Sequence, residues 1–170
     1  MTAESQHSKN KLLLNISNAR TEPSAPGVHL DMEATLEERY RLRQDEKVVG
    51  YARKIGGRTL FYSRDGFWWS GIKIEHNQID ESIGIYDIDR KMLHEWDIVE
   101  YRLEEDRDRL GTFLWSTKRK CFCIVDVKDP EIEVPLFVDD LQLFQPNDLR
   151  FKAYLFENPD LMEELGVRDE

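Results

Sequence analysis

Polar and apolar residues alternate along much of the chain after residue 46, a pattern typical of β-strands with one buried face. Residues 47–55 and 58–63 flank Gly56-Gly57, a pair that favours a two-residue hairpin turn. Residues 67–74 follow a second turn at residues 64–66 and complete a predicted three-stranded meander. The first half of the chain is therefore expected to form a sheet.

The alternation continues in the second half. It predicts a hairpin from residues 110–116 and 120–127, preceded by a strand over residues 98–103 and an all-charged loop over residues 104–109. Residues 134–144 and 149–155 supply the last extended segments. The chain is thus predicted to be rich in antiparallel strands.

Residues 31–46 are predicted as an N-terminal helix. Met32, Leu36 and Tyr40 lie four apart, and Glu37 and Arg41 have the spacing of an intrahelical ion pair. The apolar face is narrow, so this helix must pack on another element to be stable.

A short C-terminal helix is predicted after Asn158. Asn158 suits the N-cap, Pro159 the first helical position, and Asp160 complements the helix dipole. Leu161 and Gly166 mark a buried face and a helix stop.

Residues 1–30 are rich in Ser, Asn, Thr, Ala and Pro and are predicted to be a mobile N-terminal arm. The apolar residues 12–16 within it are a candidate segment for docking on a neighbouring subunit or partner. With 170 residues, the chain suits one domain plus a tail. We divide it into the arm (1–30), the helix (31–46) and a β-rich domain (47–170).

These elements predict an α+β fold that is mainly antiparallel β. We expect a small, partly open β-barrel with an N-terminal helix before it and a short C-terminal helix after it. The apolar arm and the thin-faced helix predict self-association into a homo-oligomer.

Charge is unevenly distributed over a chain with a formal net charge of −10. Residues 1–80 hold 12 Lys and Arg against 11 Asp and Glu, whereas residues 81–170 hold 12 against 23. An acidic half repels phosphate, which argues against general nucleic-acid binding by that half. It is either a solvated face or a surface for a basic protein partner.

The only cysteines, Cys121 and Cys123, share one face of a strand and are too close in sequence for an ordinary stapling disulfide. Reduced cysteines favour a cytoplasmic location. No apolar run approaches the length of a membrane span, so no membrane association is expected.

The aromatic run Phe67-Trp68-Trp69 is the principal candidate for binding. In a strand, Trp68 and Trp69 point to opposite faces. One face packs on the core, so the tryptophan on the other face lies outside it, near Arg58 and Arg64. Aromatic rings beside cations stack nucleotide bases or anchor protein interfaces. The alternative is that both faces of this strand are covered, one by the core and the other by the N-terminal helix.

The acidic residues around position 90 are candidates for chemistry. Asp87 and Asp89 have a spacing used for divalent metals, and His94 stands near Asp97 as in some acid–base sites. The more economical interpretation is that Asp87 and Asp97 bind backbone amides in turns. We therefore predict no catalytic residue, no metal and no cofactor.

Two segments resemble the phage-associated YopX family. The first, residues 83–99, matches the family's motif without a gap at Gly84, Asp87, Lys91, Glu95 and the run Asp97-Ile98-Val99. The second, Glu157-Asn158-Pro159-Asp160-Leu161, matches the family's closing Glu-Asn-Pro-acid-Leu, and residues 111–115 resemble its Gly-x-Val-x-Trp strand. The resemblance spans residues 83–162 and implies a β-rich phage or prophage protein without a defined activity.

The chain departs from that family at two glycines. The family's Glu-Gly-Asp is Glu95-Trp96-Asp97 here, and its Gly-Asn is Ala153-Tyr154. If a glycine with positive φ stands at either position, its loss is expected to alter the local chain path.

Three functions remain open from the sequence. The first is a non-enzymatic phage or prophage protein that binds a host or phage protein, with inhibition of a host factor through its acidic half as one form of this function. The second is a nucleotide or oligonucleotide binder that uses Trp68 or Trp69 and nearby arginines. The third is a metal-dependent enzyme around Asp87, Asp89, His94 and Asp97.

Overall fold

Antiparallel β-sheet dominates the computed structural model of the protein, which describes residues 37–63, 68–104 and 107–168. Two five-stranded sheets have the orders β3-β2-β1-β4-β5 and β12-β6-β7-β8-β9, and β10 and β11 form a two-stranded ribbon. Every strand pair in the described residues is antiparallel. The prediction of a mainly antiparallel β fold is confirmed.

The first sheet contains β1 (Glu38–Gln44), β2 (Lys47–Ile55), β3 (Arg58–Ser63), β4 (Gln78–Tyr86) and β5 (Met92–His94). The second contains β6 (Asp97–Glu104), β7 (Arg107–Ser116), β8 (Cys121–Asp126), β9 (Glu133–Pro135) and β12 (Leu149–Tyr154). The ribbon joins β10 (Phe137–Val138) to β11 (Leu141–Gln142), and two 3-10 turns occupy Pro146–Asp148 and Leu155–Glu157.

The predicted helix over residues 31–46 is wrong where the structure describes it. Residues 38–44 form β1, which lies in the middle of the first sheet between β2 and β4. Glu37 pairs with Arg39 at 2.8 Å instead of with Arg41, which is buried against acidic residues from distant strands. The predicted arm, residues 1–30, and the first part of the predicted helix, residues 31–36, lie outside the described residues.

The predicted barrel is also not observed. In the described ranges, no strand of one five-stranded sheet pairs with a strand of the other. The chain passes from β5 to β6 through the tight turn Glu95-Trp96, where Trp96 has a positive φ of 70°. This turn stacks the two sheets instead of extending one sheet around an axis.

Two predicted segments differ from the structure. The prediction for residue 67 lies outside the described residues; of residues 68–74, only Ser70 pairs with a strand, through hydrogen bonds with Phe61 at 2.7 and 2.9 Å. The Ser70 hydroxyl accepts the amide of Ile72 at 3.3 Å, a local bond that competes with strand pairing. The predicted loop at residues 104–109 is shorter, because β6 reaches Glu104 and β7 begins at Arg107.

Two cores lie on opposite faces of the second sheet. One contains buried residues of β4, β5, β6, β7 and β8, among them Ile85, Leu93, Val99, Phe113 and Ile124. The other gathers Trp96, Ile98, Leu155 and Phe156 under the C-terminal helix.

The C-terminal helix α1 spans Pro159–Glu164, as the sequence predicts. Asn158 occupies the N-cap position, but its side-chain amide donates to the Tyr154 carbonyl at 2.7 Å instead of capping the helix. Gly166 ends the helix with a φ of 66°, and Val167 donates to the Met162 carbonyl at 2.9 Å.

Candidate functional site

A pocket of about 290 Å³ opens beside the first sheet. Its walls come from β1, β2 and β3, from the segment after β3, and from the end of β4, the following turn and β5. Its lining is mainly aromatic and basic: Arg39, Tyr40, Tyr51, Ala52, Tyr62, Trp69, Tyr86, Arg90, Met92 and His94. We call it the aromatic pocket.

Four rings form a row along the pocket. Tyr51 and Tyr62 are cross-strand partners, so they share one face of the sheet. Trp69 packs on Tyr62 with ring centroids 5.4 Å apart, and His94 packs near Tyr51 with centroids 5.8 Å apart. The row Trp69–Tyr62–Tyr51–His94 presents extended aromatic surface to one concave site.

Three arginines accompany the row. The Arg53 guanidinium lies 4.8 Å from the Trp69 ring centroid, and its buried Nε has no hydrogen-bond partner among the described residues. Neither Arg53 nor Arg90 is ion-paired within the part of the chain that the structure describes. Arg39 forms a half-exposed pair with Glu37 at 2.8 Å. The pocket therefore has a local excess of positive charge.

A turn built on Asp87 holds Arg90 at the pocket. One Asp87 carboxylate oxygen accepts the amides of Asp89 and Lys91 at 3.0 and 2.8 Å, and the other accepts the amide of Phe151 at 3.1 Å. Arg90 adopts a φ of 62° within this turn. Asp87 thus fixes the position of a pocket residue without lining the pocket itself.

His94 is buried where it meets the pocket. Burial and, to a smaller extent, the nearby Arg41 guanidinium lower the pKa of His94 to about 3. The imidazole is therefore neutral at neutral pH, and besides its hydrogen bond to the Met92 backbone it has a second ring nitrogen for a ligand.

A buried ionic network lies behind the pocket. Arg41 donates to Asp80 at 2.7 Å, to Asp97, and to the Glu95 carbonyl at 2.7 Å. Arg43 donates to Asp80 at 2.9 Å. Asp97 also accepts the backbone amide of His94 at 2.9 Å, so the network fixes the strand that carries His94.

Aromatic rings cover that network. The Arg41 guanidinium carbon lies 4.8 Å from the Tyr154 ring centroid and 5.0 Å from that of Phe156, which are stacked on each other. Arg43 lies 4.1 Å from the Phe156 ring centroid. These contacts desolvate the arginines and make the network part of the interior.

The structure separates the residues that the sequence proposed for binding. Trp69 lines the pocket, whereas Trp68 does not and is 70% exposed. Arg58 is exposed at the start of β3 and does not line the pocket, and Arg64 lies outside the described residues. Lys73, also near the aromatic run in sequence, is exposed.

Most residues of the pocket were not predicted from the sequence. Tyr51 and Tyr62 were detectable, because a two-residue turn at Gly56-Gly57 sets them opposite each other. Arg90 and His94 come from another part of the chain, and no local pattern places them beside β2.

Two of the acids considered for catalysis, Asp87 and Asp97, are engaged in structural bonds, whereas Asp89 is exposed. Both oxygens of Asp87 accept backbone amides, and those of Asp97 are divided between Arg41 and His94. A histidine with a pKa near 3 is a weak base at neutral pH. Within the described ranges, no three His, Cys, Asp or Glu side chains are grouped to hold a metal ion.

The two cysteines are free thiols whose sulfur atoms lie 3.9 Å apart. Cys123 is fully buried, and burial raises its pKa to about 12. A thiol in this state is a poor nucleophile, so we assign it to the core.

Comparison with known proteins identifies no relative: no family model, no curated protein and no solved structure matches the chain. The YopX resemblance therefore stays a prediction. None of the helices in the described ranges has the length and apolar character needed to span a bilayer.

Proposed function

We propose that the protein is a non-enzymatic binding protein whose aromatic pocket holds a small, planar anion of the nucleotide type. The observation that carries the proposal is the row Trp69–Tyr62–Tyr51–His94 with Arg39, Arg53 and Arg90 around it. This is the second of the functions left open by the sequence, now supported by a pocket.

Each part of such a ligand has a matching group. Tyrosine and tryptophan rings stack on nucleobases, and guanidinium groups bind phosphate through charge-assisted hydrogen bonds. Neutral His94 is able to bond to a base edge without adding charge. The whole chain has a net charge of −10, so its other surfaces on average repel phosphate and leave the pocket as the favoured site.

Trp69→Ala tests the proposal, with Trp68→Ala as the matched control. Loss of one stacking ring is expected to weaken nucleotide binding by about 1–3 kcal/mol, or about 5- to 150-fold, whereas loss of exposed Trp68 leaves it unchanged. Isothermal titration calorimetry over a panel of nucleotides measures this without relying on tryptophan fluorescence.

Circular dichroism of both variants verifies the fold. Equal weakening by the two substitutions, or no heat of binding from any nucleotide with the unmodified protein, would contradict the proposal.

A second function, binding of a host or phage protein, is favoured by the β10–β11 ribbon. The ribbon exposes Phe137 (44%), Val138 (45%) and Leu141 (64%) on either side of a turn made by Asp139 and Asp140. Apolar side chains next to two carboxylates fit a partner with an apolar groove and basic side chains at its rim. The ribbon belongs to the acidic half of the chain.

Leu141→Asp tests this second function, with Leu103→Asp as the control because Leu103 is also exposed (44%) but lies in β6. A partner captured from host lysate is expected to be lost with Leu141→Asp and kept with Leu103→Asp. Retention by both variants rules out the ribbon as the interface. Light scattering on the same samples tests the predicted homo-oligomer.

A further inference from the structure

We infer that the aromatic pocket takes one free nucleotide and not a residue within a nucleic-acid strand. This inference rests on the proposed function and names its ligand more narrowly.

The rings converge on one site. Proteins that bind single strands present aromatic side chains one after another along a positively charged groove, so that successive bases stack in turn. Here Trp69, Tyr62, Tyr51 and His94 all line a single volume of about 290 Å³, which is not continued as a groove by Trp68. Trp68, the neighbour of Trp69 in the sequence, is exposed and does not line this volume.

Three arginines lie at the same pocket as the rings. Arg39 and Arg90 line the pocket and Arg53 lies against Trp69, so they suit the phosphate of one ligand.

Two carboxylates lie near Tyr40, although neither of them lines the pocket. Tyr40 donates to Glu38 at 2.6 Å, and Glu81 is its cross-strand partner on β4. The hydrogen bond to Glu38 raises the pKa of Tyr40 to about 12, with smaller contributions from burial and from Glu81.

Asp89, next to Arg90 in the sequence, is exposed. A strand has a phosphate at every nucleotide, so the phosphates outside the pocket would meet a chain with a net charge of −10. A free nucleotide has no such continuation. The surrounding charge therefore selects the monomer over the polymer.

The experiment compares the four nucleoside 5′-monophosphates with single-stranded DNA decamers of the same bases. Titration calorimetry at about 50 mM and about 200 mM salt gives the affinity and its salt dependence. We expect a monophosphate to bind at least as tightly as the matching decamer, with a shallow salt dependence that corresponds to one or two phosphate contacts.

Arg90→Gln and Arg58→Gln form the matched pair of variants. Removing the cation at the pocket is expected to weaken monophosphate binding about tenfold or more, and removing exposed Arg58 to change it less than about twofold. Equal effects of the two substitutions overturn the inference.

The outcomes separate the inference from the function on which it rests. A decamer that binds about tenfold tighter than any monophosphate, with a steep salt dependence, overturns the inference and leaves the pocket a nucleic-acid site. If neither ligand binds, the proposed function fails and the inference fails with it.

Discussion

His94 shows how one buried side chain links stability to pH. It lies on β5, and the charged groups that face it are Arg41 of β1, Lys91 before β5, and Asp97 at the start of β6. Burial and both cations oppose a positive charge on the imidazole, so the folded protein keeps it neutral.

We predict that the protein loses stability as the pH falls below 6.5. The pKa of His94 is about 3 in the folded state against an ordinary value of 6.5, so the unfolded chain takes up the proton first. The free energy of unfolding should fall by about 1.4 kcal/mol per pH unit from this residue, or by about 2 kcal/mol at about pH 5.

Urea unfolding of the unmodified protein and of His94→Gln between about pH 5 and 7.5 measures this dependence. The free energy of unfolding of His94→Gln should lack the part of the pH dependence that comes from His94. If the two proteins show parallel slopes, His94 is not the group responsible.

Trp96 occupies a backbone conformation that glycine adopts more readily. Its φ is 70°, so the chain makes a left-handed turn here without a glycine. Burial of the indole to 9% exposure and its contact with Arg43, at 5.8 Å from the ring centroid, offset the backbone strain.

At the scale of elements, hairpins with clear turn residues were predictable from the sequence. The strands Lys47–Ile55 and Arg58–Ser63 have the predicted bounds, because Gly56 and Gly57 both adopt positive φ and fix the register. The β7–β8 hairpin and the C-terminal helix were predictable for the same reason: their turn and cap signals are local.

β1 was not predictable from local pattern. Its arginines suggested a solvated helix, but Arg41 and Arg43 are each 1% exposed because Asp80 and Asp97 neutralise them. Those acids follow Arg41 by 39 and 56 positions. A local sequence pattern therefore does not contain the partners that allow these arginines to be buried in a strand. The pocket escaped prediction in the same way, apart from Trp69 and the Tyr51–Tyr62 pair.

At the scale of the whole molecule, the Arg41 network joins the two sheets. Asp80 belongs to β4 of the first sheet, and Asp97 begins β6 of the second. A buried carboxylate that loses its cation is costly, whereas an exposed ion pair contributes little.

We predict that Arg41→Met lowers the free energy of unfolding by about 3–5 kcal/mol, because it leaves two buried carboxylates short of a cation. Arg39→Met, two residues away on the same strand, should cost less than about 1 kcal/mol, since its pair with Glu37 is half-exposed and screened by solvent. Denaturant unfolding of both variants measures the difference, and similar losses for the two would mean that the network contributes little to joining the sheets.

The rings over Arg41 also bear on the order of events during biosynthesis. Tyr154 and Phe156 cover that guanidinium, and β12 completes the second sheet beside β6, so early and late parts of the chain share one interior. While residues 149–156 are still in the ribosomal exit tunnel, the emerged part of the chain has an open sheet edge and a hydrated arginine. We therefore expect native packing to form only after translation has passed these residues, with chaperones protecting the nascent chain until then.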